Sequence, residues 1–118
     1  MNFKRLFEVC WRTPGTWTVT KSGHPHFDVC IITEKDGGSI CHFTPWSKAK
    51  NTAIIMSKSP ELLKALIEQT IFIETVATSE GKAKNPDYSV IKLIESVLSS
   101  PEKPITWEEI KEILESDA

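Results

Sequence analysis

The sequence predicts a small α+β fold, an antiparallel β-meander of about three strands followed by an antiparallel helix pair and a short C-terminal helix. Three observations carry this. Between residues 16 and 43, short runs rich in Thr, Val and Ile are separated by glycine-bearing turns, the pattern of strands. Beyond residue 45 the apolar residues recur instead at helical spacing. At the junction lies Asn51–Glu68, where Ser59-Pro60-Glu61 supplies a capping oxygen, a proline suited to the first helical position and a carboxylate suited to the helix dipole. The 118 residues suit one domain, 1–118, with the sheet in 13–43, helices in 45–99 and the last helix in 105–116.

Taken in order, Phe3, Leu6, Phe7, Cys10 and Trp11 fit a helical stripe, while Phe7, Val9 and Trp11 also fit an alternating strand; both readings stay open, with helix preferred. Thr13-Pro14-Gly15 forces a turn. Trp17 and Val19 then alternate with Thr16, Thr18 and Thr20 as in a half-buried strand. After the loop Lys21–Pro25, Phe27–Thr33 is almost continuously apolar, as expected of a central strand covered on both faces. Glu34–Gly38 supplies the glycines of a hairpin, and Ser39–Phe43 returns as the third strand. Two open sheet edges favour oligomerisation by edge pairing.

The first helix after the sheet is expected over Ser47–Ser57, capped by Thr44 or Ser47 with Pro45 in its first turn. The next should start at Pro60. It carries Leu62, Leu63, Leu66, Ile67, Ile73, Val76 and Ala77 as its stripe, with Ile71 and Phe72 widening it enough to touch two surfaces. Those surfaces are expected to be the sheet and another helix of the same chain, with a subunit interface as the alternative; Leu66 and Ile73 are candidates for the core, and Ile71 and Phe72 for an effect on assembly. Gly81 should stop the helix, Lys82–Pro86 form a basic loop, and Asp87 cap a helix bearing Tyr88, Val90, Ile91, Ile94, Val97 and Leu98 on one side. Pro101 and Pro104 break the chain again. Thr106-Trp107-Glu108-Glu109 is a complete capping box, with Ile105 and Ile110 placed as its hydrophobic staple, so the last helix runs from Trp107 to Glu115.

A formal net charge of -2 gives no general attraction to nucleic acid or an anionic membrane, so direct nucleic-acid binding is not expected. Three cysteines, Cys10, Cys30 and Cys41, form no close pair and suit a reducing cytosol. The longest apolar run falls far short of the ~20 residues of a membrane span, and no secretory leader is expected. His24, His26, Cys30, Cys41 and His42 fall on neighbouring strands. They lack a Cys-x-x-Cys pair, and Cys41 and His42 should point to opposite faces, so neither metal nor a Cys-His nucleophile is expected. No acid, base and nucleophile can be placed together, so a non-enzymatic protein without cofactor is expected.

Two binding surfaces remain. Free N–H groups at the helix start after the third strand, with Ser47, Lys48, Lys50 and Asn51 and with Trp46 as a stacking surface, suit an anionic, nucleotide-like ligand. On the last helix, Glu108, Glu112 and Glu115 form an acidic face suited to masking a basic partner.

Thr13-Pro14-Gly15-Thr16-Trp17-Thr18-Val19, followed by Asn51-Thr52-Ala53-Ile54-Ile55 and by Ser59–Leu66, resembles small phage and prophage proteins that carry T-P-G-P-W-x-V and N-A-R-L-I-A-A-A-P-E-L-L-E-A-L. The resemblance covers residues 13 to 98. Thr16 stands in place of the second proline, and the arginine of the second motif is absent, so an anion site there would have to use Lys48 or Lys50. The resemblance implies a phage-encoded accessory protein in the host cytoplasm. It would counter a bacterial defence system, either by sequestering a nucleotide-like signal or by masking a defence protein, as a homo-oligomer. The alternative is a phage structural or regulatory interaction module with no defence role.

Overall fold

A short helix opens the chain because Phe3, Leu6 and Phe7 fall on one face and Asn2 caps it, its side-chain oxygen accepting the Arg5 N–H at 3.1 Å. In the computed structural model, which describes residues 1–10, 16–34, 37–79 and 88–116, this is α1 (Phe3–Val9). The strand alternative for this stretch is thereby settled in favour of helix. Helix α1 is followed by β1 (Trp17–Lys21), β2 (Val29–Thr33), β3 (Ser39–Phe43), α2 (Ala49–Ser57), α3 (Ser59–Ser79), α4 (Tyr88–Leu98) and α5 (Trp107–Glu115). The architecture is the expected α+β fold, a three-stranded antiparallel sheet followed by helices, with one helix ahead of the sheet. The turn expected at Thr13-Pro14-Gly15, the stop at Gly81, the basic loop 82–86 and the cap at Asp87 lie outside the described residues. Among the described residues no helix is long and apolar enough to cross a membrane.

The chain divides into two compact units, Thr13–Leu62 and Met1–Arg12 with Leu63–Ala118. In the first, the sheet unit, β2 is central and pairs antiparallel with both neighbours, Val19 opposite Ile31 on one side and Cys41 opposite Ile31 on the other. A register irregularity between Ile31 and Ile32 marks the β2–β3 ladder. The hairpin closes through Gly37 at φ 71°, a left-handed position that glycine adopts without strain, and its N–H donates to the Thr33 carbonyl at 2.9 Å. Helix α2 lies on β1 and β2. It buries Ala49, Ala53 and Ser57, small side chains at spacing four that let the helix approach the sheet closely.

The helical unit has its own core. Phe3, Leu6 and Phe7 of α1, Ile67 of α3, Ile91, Ile94 and Leu98 of α4, and Ile105, Trp107, Ile110 and Leu114 at α5 form one buried cluster. Each fully buried Leu or Ile contributes about 1.5–3 kcal/mol over its exposed state. The Asn2 N–H donates to the Leu114 carbonyl at 2.9 Å, tying the start of α1 to the end of α5. Residues outside 13–98, namely Phe3, Leu6, Phe7, Ile105, Trp107, Ile110 and Leu114, therefore build much of this core.

Two expectations for α3 are corrected. The Leu62 N–H donates to the Lys58 carbonyl at 2.9 Å, so the helix already includes Ser59 and that residue is not its cap. Ile73 is 49 % exposed and outside the core, because the face that meets the cluster is the one holding Ile67, with Leu63, Leu66 and Ile71 packed beside it. Phe72, at 61 % exposure, lies on the outside, whereas Ile71 packs against the core.

Candidate functional site

The residues singled out after β3 sit at the start of α2. Trp46-Ser47-Lys48 makes a turn, and the Ala49 N–H donates to the Trp46 carbonyl at 3.0 Å. The helix consequently begins at Ala49, two residues later than Ser47, with Lys48 in the cap position and no side-chain capping bond. Neither Thr44 nor Ser47 caps it. Trp46, Ser47, Lys48, Lys50 and Asn51 are brought together as an exposed surface.

What sequence reasoning missed is the continuation of that surface. Because the small residues of α2 face the sheet, its large apolar residues are turned outward: Ile54, Met56 and above all Ile55, which is 68 % exposed. An ordinary surface helix has the reverse distribution. The signal was present in the i, i+4, i+8 spacing of Ala49, Ala53 and Ser57, which can form a contact face as well as any isoleucine. From residue 37 to residue 60 the chain carries Lys48, Lys50 and Lys58 and no Asp or Glu, so the charged residues of α2 and its two ends are all basic.

On α5 the acidic residues lie opposite the buried ones. Glu108, Glu112 and Glu115 are exposed, while Trp107, Ile110 and Leu114 are buried. Glu108 stands 3.3 Å from Lys111. Lys111 also donates to Glu74 of α3 at 2.7 Å, and the same carboxylate accepts the Trp107 indole N–H at 3.0 Å. Burial alone would raise the pKa of Glu74, but the hydrogen bonds from Lys111 and Trp107 and the Lys111 charge outweigh it, leaving Glu74 below its ordinary value. For Lys111 burial acts downward and is outweighed by its hydrogen bond to and charge attraction from Glu74, then Glu108, so its pKa is raised. This group holds α5 to α3. A second carboxylate, Glu95 of α4, accepts the Trp107 backbone N–H at 2.8 Å, satisfying a donor at the start of α5.

The histidines form a stack in the sheet unit. His24 lies with its ring centroid 5.4 Å from that of His26 and 5.0 Å from Phe27, and Phe27 lies 5.3 Å from His42. His24 Nδ1 accepts the His26 backbone N–H at 3.2 Å, which places the proton of neutral His24 on Nε2. Ser22 Oγ accepts the His24 backbone N–H at 3.2 Å and lies 3.0 Å from His42 Nδ1. Both Nδ1 atoms are thus engaged. Among the described residues no three His, Cys, Asp or Glu side chains converge as a metal site. Cys30 is the register partner of His42, while Cys41 pairs with Ile31.

No family model, curated protein or solved structure matches the chain.

Proposed function

We propose that this chain is a non-enzymatic binding protein of phage type that counters a bacterial defence system by covering a defence protein through direct contact. The observation that carries the choice of mechanism is the outward-facing apolar surface of α2, with Ile54, Ile55 and Met56 exposed beside Lys48 and Lys50. A surface of that make-up gains by being covered, since apolar area removed from water is worth about 25 cal/mol per Å². It is open and mixed in character. A nucleotide-like signal is held instead by several donors converging in a concave site, and the residues expected to hold one, Trp46, Ser47, Lys48, Lys50 and Asn51, lie on exposed backbone without a capping side chain. The acidic face of Glu108, Glu112 and Glu115 reads as the solvated side of a helix whose other side is in the core.

The test is phage plating on bacteria that each carry one defence system, with and without the chain expressed. Plating should be restored for at least one system by the wild-type chain and lost with Ile55→Asp. Restoration that survives Ile55→Asp but disappears with Lys48→Glu and Lys50→Glu, together with loss of free nucleotide signal from the cells, would select sequestration instead. A chain that restores plating nowhere but binds a phage protein through the same face would be a structural or regulatory module.

A further inference from the structure

We propose that β1 pairs antiparallel with β1 of a second copy of this chain, about a two-fold axis at Val19, joining two three-stranded sheets into one. The hydrogen bonds at the two ends of the β1–β2 ladder single out this edge. The Glu34 N–H donates to the Thr16 carbonyl at 3.0 Å and the Ser22 N–H to the Asp28 carbonyl at 2.9 Å, so the even-numbered residues of β1 exchange bonds with β2. The N–H and C=O groups of Trp17, Val19 and Lys21 therefore point away from the sheet. Among the described residues they meet no hydrogen-bond partner. The β1–β2 register is unbroken from Trp17 to Lys21, with neither the bulge nor the proline that blunts an edge strand, whereas the β2–β3 ladder is irregular between Ile31 and Ile32.

The strand is complementary to itself. In an antiparallel register centred on Val19, Val19 lies opposite the second copy's Val19 and Trp17 opposite its Lys21, so every outward residue of both strands exchanges a pair of backbone hydrogen bonds. A slip of two residues either way leaves one outward residue of each strand opposite no strand residue. The match is also electrostatic. A lysine on an edge strand ordinarily opposes pairing, but here each Lys21 cation is set against the indole ring of the other copy's Trp17 and not against the other Lys21. An extended segment of another protein would take the backbone bonds, yet only a second copy brings its own helix. Because α2 lies on β1 and β2, the two-fold axis sets a second α2 on the same face of the joined sheet. With strands about 4.8 Å apart, helices centred over each β1–β2 pair stand about 10 Å from one another, the distance at which helices pack. Ile55, on the side of α2 away from Ala53, stays outside this contact, so the face proposed above to cover a defence protein remains open.

The experiment uses the full chain labelled with nitrogen-15, followed by light scattering and amide exchange from about 5 μM to about 1 mM, the range in which a reversible dimer of moderate affinity titrates. A dimer should form as concentration rises, and the Trp17, Val19 and Lys21 amides should become protected in step with it. Those of Thr18 and Thr20 should be protected throughout, because they are bonded within the chain. In a mixture of carbon-13-labelled and unlabelled chains, a contact between the α-protons of Thr18 in one copy and Thr20 in the other should fix the register, since these residues form a close non-hydrogen-bonded pair across the axis. Val19→Lys sets two like charges directly opposite each other and should weaken the dimer at least about tenfold. Lys21→Pro keeps the test open if Val19→Lys fails to fold: Lys21 is exposed and its N–H points outward, where an edge strand tolerates proline, so the dimer should weaken while circular dichroism stays that of the wild type. A monomer at about 1 mM would overturn the proposal. So would a dimer that leaves the three amides unprotected or protects β3 instead, absence of the Thr18–Thr20 contact, or a dimer indifferent to Lys21→Pro. Ile55→Asp should leave the dimer intact, so that failure here and failure in the plating test are separate results.

Discussion

Helices α2 and α5 are both nine residues long and solve opposite problems. Helix α5 turns Trp107, Ile110 and Leu114 into a helical core and its glutamates to water, and it is capped by Thr106, whose hydroxyl oxygen accepts the Glu109 N–H. Helix α2 turns Ala49, Ala53 and Ser57 onto a sheet, leaves its isoleucines outside, and starts without a side-chain cap. The difference teaches that burial of large side chains and membership of the fold are separable. Helix α5 is held by the area it buries, whereas α2 is held by close approach to the sheet. The large residues of α2 add little to folding and are free to serve binding.

The largest expected effect tests that separation directly. Ile110, fully buried, should cost about 2–5 kcal/mol when changed to alanine. Ile55→Ala should stay within about 0.5 kcal/mol, as an exposed substitution away from any specialised feature does. Urea denaturation of both variants decides it, and comparable losses at the two sites would break the comparison. Next in size is Ala53→Leu. Ala53 has no exposed surface, so a larger side chain has to push α2 off the sheet, at a cost of about 1–3 kcal/mol. A neutral result would mean that α2 does not rely on close approach.

The three strands were legible because threonine and valine alternate along β1 and because the hairpin needs a residue at positive φ, which Gly37 supplies. The end of the chain was legible for a similar reason, since Thr106 and Glu109 act within one turn of each other. Reading failed where the decision is made far away in sequence. Leu62–Ala77 is apolar on more than one side, and periodicity alone does not say which side meets the core; Ile67 is inside and Ile73 outside because of where α1, α4 and α5 contribute their residues. The Glu74–Trp107–Lys111 group joins residues 33 and 37 positions apart, with no local pattern to announce it. At α2 the residues that meet the sheet, Ala49, Ala53 and Ser57, are small, and no stripe of large apolar residues announces which side is buried.

The caps give a smaller and sharper contrast. Thr106→Ala should cost about 1 kcal/mol, because the Glu109 N–H loses its acceptor at the start of α5. Ser47→Ala should cost almost nothing, because the Ala49 N–H is served by the Trp46 carbonyl and no side chain takes part. Thermal melts of the two variants at one pH provide the reading. An equal loss at Ser47 would restore the capping role expected from the sequence.

The smallest effect is electrostatic and belongs to the attachment of α5 to α3. Burial acts to raise the pKa of Glu74, but the Lys111 and Trp107 hydrogen bonds and the Lys111 charge prevail and hold it below the ordinary 4.5; its ionised form therefore adds stability that is present above pH 4.5 and is lost as pH falls through the folded value. For Lys111 the sign is opposite. Its pKa is raised above 10.5 because Glu74 and Glu108 outweigh burial, so its contribution is complete below pH 10.5 and is lost only as pH rises through the folded value. Between these limits the pair contributes fully. Side-chain exposures of 22 % and 26 % leave it screened by solvent, so about 1 kcal/mol or less is expected. Glu74→Gln keeps an oxygen for the Trp107 indole and removes only the charge. The stability difference between wild type and this variant, measured by denaturation across a pH series, should be flat through neutral pH and shrink toward zero as the acid side of 4.5 is entered. A difference that grows with acid would show that Glu74 is penalised by its burial more than it is held by Lys111.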